Sequence, residues 1–358
     1  MTDHFYMQRA IELAQQGIYS TKPNPNVGCV IVKDGQIVGE GFHPKAGQPH
    51  AEVFALQQAG ANAKDATAYV TLEPCAHFGR TPPCANALID AGVKRVVMAG
   101  LDPNPLVAGK GQAMLHAAGI STTVGVLNDE ARALNKGFLQ VMAGGRPYVR
   151  LKMAASLDGR TAMASGESKW ITGAEARLEV QHWRAISGAV ITGINTVLAD
   201  DPALNVRTLP DHAVSNFPIE QVVQPLRVVL DRSSRFPAHA QLLQQPDQLL
   251  LVGTTAAIAP QVDHWPTLDL AVLLDELKSK KQVYDVLIEA GPTLAAEFLK
   301  QGLVDELIVY LAPTLLGSTG RAMFNFSLTQ MSQQYRLQLQ SLRQVGQDVC
   351  FILTPKQA

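Results

Sequence analysis

Apolar positions in the first third of the chain switch between two periods. Over 3–16 they recur at helical spacing, as Tyr6/Met7, Ala10/Ile11 and Leu13/Ala14, and Gly17 follows as a stop. Cys29-Val30-Ile31-Val32 and Gln36-Ile37-Val38 flank Asp34-Gly35, a two-residue hairpin signal because Gly tolerates φ > 0. Helices are predicted over 50–59, ended by Gly60, over 84–91, between Pro82-Pro83 and Gly92, and over 111–118, closed by Gly119. Strands are predicted over 68–72 and 95–99. The stretch 127–143 reads as one connecting helix, and Gly144-Gly145-Arg146-Pro147 then punctuates the chain.

The second half restarts with a strand over 148–154, followed by strands over 189–192, 227–231, 249–252, 286–289 and 306–311. Glu297-Phe298-Leu299 belongs to a helix ended by Gly302. Strands alternating with helices imply layered α/β architecture in both halves. Apart from the strand over 249–252, the stretch 241–275 is polar and irregular and says nothing about chemistry. At ~100–200 residues per domain, 358 residues suggest two. The expected division is 1–126 and 147–358, with 127–146 connecting them.

Composition narrows the function. Apolar residues make up 47% and charged residues 17%, which excludes a disordered chain. Thirty basic against 31 acidic residues leave a net charge of −1, which offers nucleic acid no bulk electrostatic hold. No apolar stretch approaches the ~18 residues of a membrane span. The first residues lack the apolar core of a secretory signal, so a cytoplasmic protein is expected. Four cysteines are too few for a secreted scaffold. Cys29 and Cys350 sit among apolar neighbours and read as core.

Cys75 and Cys84 read differently, because they accompany His50-Ala51-Glu52. Hydrolytic deamination at neutral pH needs an activated water, and zinc lowers the pKa of bound water to about 7. One imidazole and two thiolates fill three tetrahedral positions and leave the fourth open. Glu52 can carry a proton from that water to a leaving amine. His-x-Glu followed by Pro-Cys and a second Cys is the zinc-deaminase signature, here with eight residues between the cysteines rather than two. A closed structural site, with His77 as fourth ligand, is the alternative. A nucleic-acid base deaminase and a non-catalytic zinc module are the rival functions. No Gly-x-Gly-x-x-Gly follows a strand anywhere in the chain, and Gly109-Lys110-Gly111 comes nearest, so a Rossmann site is not expected. The strand 286–289 running into Gly291-Pro292 and a helix could receive a phosphate, or be a plain turn.

Pro23-Asn24-Pro25-Asn26-Val27-Gly28, His50-Ala51-Glu52 and the run from Pro74 to Cys84 resemble the deaminase half of the bifunctional riboflavin-biosynthesis family. That family fuses a diaminohydroxyphosphoribosylaminopyrimidine deaminase to a 5-amino-6-(5-phosphoribosylamino)uracil reductase. Lys152-Met153-Ala154-Ala155-Ser156-Leu157-Asp158-Gly159, Ser168-Lys169-Trp170-Ile171-Thr172, the run from Val197 to Arg207, and Glu289-Ala290-Gly291-Pro292-Thr293 resemble its reductase half. The resemblance implies a cytidine-deaminase-like α/β/α domain followed by a dihydrofolate-reductase-like α/β domain. It implies one Zn²⁺ per chain on His50, Cys75 and Cys84, with Glu52 as proton shuttle, and substrate contact by Asn24, otherwise an ordinary Asn-Pro turn. NADPH would lie near Ala154, Trp170, Thr196, Asp200 and the segment Gly291, Pro292, Thr293, Leu294, Ala295, Ala296 and Glu297. Substrate would lie near Ser168, Arg184, Leu204, Arg207 and Glu289, where arginines suit its phosphate. Lys152 and Glu289 are candidates for contact during reduction. Phe54 stands where this family is expected to carry His, and Arg232 where a small hydroxyl residue is expected. The implied partners are phosphorylated pyrimidines, with no nucleic acid and no membrane; a homo-oligomer is compatible with the sequence.

Overall fold

The computed structural model describes residues 2–76, 83–105, 108–211, 214–253 and 258–356. The chain forms two compact units, Met1–Arg146 with Val214–Val223, and Pro147–Ala213 with Gln224–Ala358.

The first unit runs α1 (Asp3–Gln15), β1 (Gly28–Lys33), β2 (Gln36–Phe42), α2 (Ala51–Ala59), β3 (Thr67–Val70), α3 (Cys84–Asp90), β4 (Arg95–Met98), α4 (Lys110–Ala117), β5 (Ser121–Val124), α5 (Asn128–Ala133) and α6 (Lys136–Met142). Its sheet has the order β2-β1-β3-β4-β5. β1 is antiparallel to β2 and β3, while β3, β4 and β5 are parallel. The hairpin closes at Asp34 and Gly35, both at positive φ, as its two-residue loop requires. Alternate strand residues feed two cores. Cys29, Ile31, Val70, Val96 and Met98 pack with α2, α3 and α4. Val30, Val32, Tyr69 and Val97 pack with α1 and Ala131 of α5. The result is a three-layer α/β/α sandwich.

Two details differ from the sequence reading. The helix expected over 127–143 is two helices, parted at Asn135. That side chain accepts from Asn26 N at 2.7 Å and donates to Asn26 O at 2.9 Å, so a long-range pairing overrides local helix propensity. β5 escaped notice because Ser-Thr-Thr-Val on a sheet edge shows no buried apolar run.

The second unit runs β6 (Tyr148–Ser156), β7 (Arg160–Ala162), α7 (Ala174–Ile186), β8 (Ala189–Gly193), α8 (Ile194–Asp200), β9 (Leu226–Leu230), β10 (Leu249–Val252), β11 (Asp263–Trp265), α9 (Leu270–Lys281), β12 (Asp285–Glu289), α10 (Pro292–Lys300), β13 (Glu306–Ala312), β14 (Arg321–Ala322), β15 (Leu337–Val345) and β16 (Asp348–Pro355). The main sheet has the order β11-β10-β9-β8-β12-β6-β13-β16-β15, parallel from β11 to β13 and antiparallel beyond. Its central strands are continuous apolar runs because both faces are covered. Ile191, Val228, Leu250 and Ile288 pack with α9 and α10. Their neighbours Val190, Val229, Leu251 and Leu287 pack with α7 and α8. The stretch 241–275, expected to be irregular, contains β11 and the start of α9. The signal for α9 was present: Leu270, Leu273, Leu274 and Leu277 keep helical spacing, and Asp269 caps the helix by accepting from Ala271 N and Val272 N.

Candidate functional sites at the two sheet edges

Three chain segments bring the first site together at the end of β3. His50 is the N-cap of α2, Cys84 is the first residue of α3, and Cys75 lies on the loop leaving β3. α2 can approach β2 closely because Gly41 faces it: a Cβ there would lie 2.4 Å from Ala51 O. His50 Nδ1 is 3.3 Å from Cys84 Sγ and 3.7 Å from Cys75 Sγ, and the three ligand atoms lie within 4.8 Å of one another. Zinc bonded to N at about 2.05 Å and to S at about 2.3 Å in a tetrahedron sets N···S near ~3.6 Å, so this donor set fits zinc. Cys84 N donates to Cys75 Sγ at 3.2 Å, which suits a thiolate at a helix start. The hydrogen bond from Cys84, followed by that from His50, holds the Cys75 thiol far below its ordinary value despite burial, while Cys84 is pushed up.

Glu52, in the first turn of α2, is 3% exposed and turned inward. Its Oε2 is buried without a hydrogen-bond partner among the described residues. Burial, then the charge of Cys75, raises its pKa. A buried carboxylate oxygen with no protein partner, beside three metal donors, is what an active water would satisfy. His77 lies outside the described residues.

Sequence reasoning missed His43. It is buried, its Nε2 accepts from Asn24 Nδ2 at 3.0 Å, and its Nδ1 donates to Pro49 O at 3.1 Å. Its ring meets that of His50 edge-on at 5.2 Å. Asn24, predicted to meet substrate, is thus oriented by His43. No local pattern announces His43, because its partners come from a loop and a neighbouring turn.

In the second unit the parallel strands end on one edge, where α/β sheets bind ligands. β8 and β12 are neighbours, and each runs directly into a helix, α8 from Gly193 and α10 from Gly291. A Cβ on Gly291 would lie 4.0 Å from Thr196 Oγ1, and one on Gly193 would lie 3.7 Å from Leu294 Cδ2. Thr196 and the start of α10 therefore share one place, with Asp200 at the exposed end of α8 and Ala154 near the end of β6. Along α10, Ala295 and Ala296 are buried, and Ala295 N donates to Gly291 O, while Pro292 has no N–H. Among the described residues, the amides this turn leaves for an anion are those of Gly291, Thr293 and Leu294. Glu297 accepts from Gln301 Nε2 at 2.7 Å.

Glu289, at the end of β12, is clasped by Arg184 of α7 through bonds of 2.5 and 3.0 Å, with Lys152 Nζ of β6 at 3.6 Å. Arg184 also donates to Asn205 O at 3.3 Å, and Arg207 donates to Asn205 Oδ1 at 3.0 Å. Leu204 is buried at positive φ, turning the chain between the two arginines. Trp170 is 71% exposed under the Arg177 guanidinium, 4.3 Å from its ring centroid. No contact joins Trp170 or Ser168 to the Glu289 cluster among the described residues. Arg232 is exposed and Phe54 half-buried.

Residues 1–100 match the cytidine and deoxycytidylate deaminase zinc-binding region, and residues 147–351 match the RibD C-terminal domain. The riboflavin biosynthesis protein RibD of Escherichia coli K12 is 51% identical over 365 residues, covering 99% of each chain. The chain belongs to the RibD family. RibD of Haemophilus influenzae is also 51% identical, covering 99% of this chain and 98% of that protein. Among solved structures, Acinetobacter baumannii RibD is 60% identical with TM-score 0.95, covering 99% of each chain. A Thermotoga maritima protein, described as a diaminohydroxyphosphoribosylaminopyrimidine deaminase/5-amino-6-(5-phosphoribosylamino)uracil reductase, is 33% identical with TM-score 0.89 over 99% of each chain. As a RibD family member, the chain is a bifunctional enzyme of riboflavin biosynthesis, a deaminase joined to a reductase. The expected pairing of a cytidine-deaminase-like with a reductase fold is borne out.

Proposed function

We propose that His50, Cys75 and Cys84 hold one zinc ion and that Glu52 moves the protons of deamination. The substrate of this reading is 2,5-diamino-6-ribosylamino-4(3H)-pyrimidinone 5′-phosphate. Zinc supplies a nucleophilic water at neutral pH. Glu52 takes a proton as that water adds to the amine-bearing ring carbon, and returns it to the departing nitrogen as ammonia. The observation that carries the reading is Glu52 Oε2, buried without a hydrogen-bond partner among the described residues, beside three metal donors. Asn24, set by His43, orients the ring.

The deaminated product, its ribosyl ring opened at the C1′–O bond to an imine, would then be reduced in the second unit, where bound NADPH would supply a hydride to C1′ as the imine nitrogen takes up a proton. The reading places the cofactor across Ala154, Trp170, Thr196, Asp200 and the Gly291–Glu297 turn. It places substrate beside Ser168, Leu204, Arg207 and the Arg184–Glu289 pair. Arg207 suits the phosphate, whereas Arg184 is committed to Glu289 and holds that carboxylate in place. A cytoplasmic setting suits a site built on two thiolates.

Glu52→Gln tests the first half. The variant should keep its zinc and its NADPH-dependent reduction of deaminated intermediate, while ammonia release falls by roughly 10²–10⁴-fold. Ammonia release at the wild-type rate refutes the role of Glu52.

A further inference from the structure

Glu73 lies two residues ahead of Cys75 and is 5% exposed. Its carboxylate reaches another segment. Oε2 accepts from Asp102 N at 3.2 Å and Gly109 N at 3.0 Å, and Oε1 accepts from Gln112 N at 3.1 Å. Gly109 is the N-cap of α4 and Gln112 its third residue. The oxygen that a Ser or Asp N-cap would offer is missing from glycine, and Glu73 supplies it from outside. A capping box uses two side chains to satisfy the N-cap and third-residue amides; one carboxylate does both here. Its charge also lies at the positive end of the helix. α4 closes on the same segment through its backbone: a Cβ on Gly111 would lie 2.0 Å from Pro74 O. The peptide leading into Cys75 is therefore tied to α4 on one side, while Cys75 Sγ accepts from Cys84 N of α3 on the other.

We infer that Glu73 is a positioning residue of the metal centre: its cap on α4 fixes Pro74–Cys75 so that Cys75 keeps its place beside His50 and Cys84. The inference rests on Cys75 being a zinc ligand. A carboxylate is needed because the three N–H groups converge on two acceptor oxygens. The amide of Glu73→Gln keeps one acceptor and turns an NH₂ toward a backbone donor. Glu73→Asp falls one methylene short.

The test uses the full-length, zinc-loaded protein in competition with a chromophoric chelator. Glu73→Gln, and separately Gly111→Ala, should hold zinc roughly 10–100-fold more weakly, the range for groups that orient a metal ligand. The Co²⁺-substituted variants should show a changed sulfur-to-metal absorption band. Reduction of deaminated intermediate by NADPH should be unchanged, as it draws on the other unit. Cys75→Ser is the reference. If it binds zinc as wild type does, the ligand assignment itself fails. If Cys75→Ser loses zinc while Glu73→Gln and Gly111→Ala keep both affinity and spectrum, the positioning role is overturned. A lowered unfolding midpoint of Glu73→Gln with unaltered zinc affinity would reduce Glu73 to a helix cap and equally overturn the role.

Discussion

Glu289 is a carboxylate buried against two cations, and the balance there sets a pH dependence. Burial alone would raise its pKa, but the charges of Arg184 and Lys152 and the Arg184 hydrogen bonds outweigh it and leave the pKa below its ordinary value. A carboxylate with a depressed folded pKa stabilises the fold above its unfolded value of about 4.3. That contribution is lost as pH falls through the folded value. Urea unfolding of the second unit should therefore weaken below about pH 4.3, and Glu289→Gln should flatten that slope. At pH 7 the same substitution leaves Arg184 buried and unpaired, a cost of about 3–5 kcal/mol. Equal stability of variant and wild type at pH 7 would contradict the clasp. Glu289 could be flagged from sequence only by family resemblance, because Arg184 and Lys152 are its neighbours solely through the packing of α7 and β6 on β12.

At the scale of elements, the deaminase site depends on how closely α2 lies on β2. Gly39 and Gly41 leave room for the helix backbone, and a Cβ on Gly39 would lie 2.1 Å from Ala55 O. Gly41→Ala should push α2 outward and with it His50 at its N-cap. The expected costs are about 1–3 kcal/mol of stability, from overpacking, and weaker zinc retention, read by thermal melts with and without chelator. A melt shift in the chelated protein alone would show that α2 can move without disturbing His50. The hairpin, α1, α2, α3, α4 and the apolar strands β6, β8, β9, β10, β12 and β13 were legible because each carries its own apolar run, period or stop residue, whereas α7, α8 and α9 were not read. β5 and β11 were not: an edge strand with little buried surface imposes no apolar pattern on its residues.

For the whole molecule, the order of units along the chain is not the order of contacts. Val214–Val223, from the later half of the sequence, belongs to the first unit. Phe217 packs edge-on against buried Tyr19 at 5.2 Å, Val223 N donates to Tyr19 O at 3.0 Å, and Lys22 Nζ donates to Val223 O at 2.9 Å. These contacts brace the turn that leads into Asn24. Phe217→Ala in the full-length protein should lower the first unit's stability by about 0.5–1.5 kcal/mol beyond the lost buried area. It should also raise KM for ammonia release more than it lowers kcat. An unchanged melt would remove the segment from the first unit's support. Hydrophobic periods and punctuating glycines specified the layers, and His50-x-Glu52 with its two cysteines pointed to the proposed zinc chemistry, since side-chain type and spacing are written directly in the chain. Long-range pairing was settled only by folding. Glu73 reaching α4, His43 turning Asn24, Asn135 splitting a helix and Val214–Val223 joining the first unit all join residues distant along the chain. Such partners become neighbours only when the layers pack, and no local period records them.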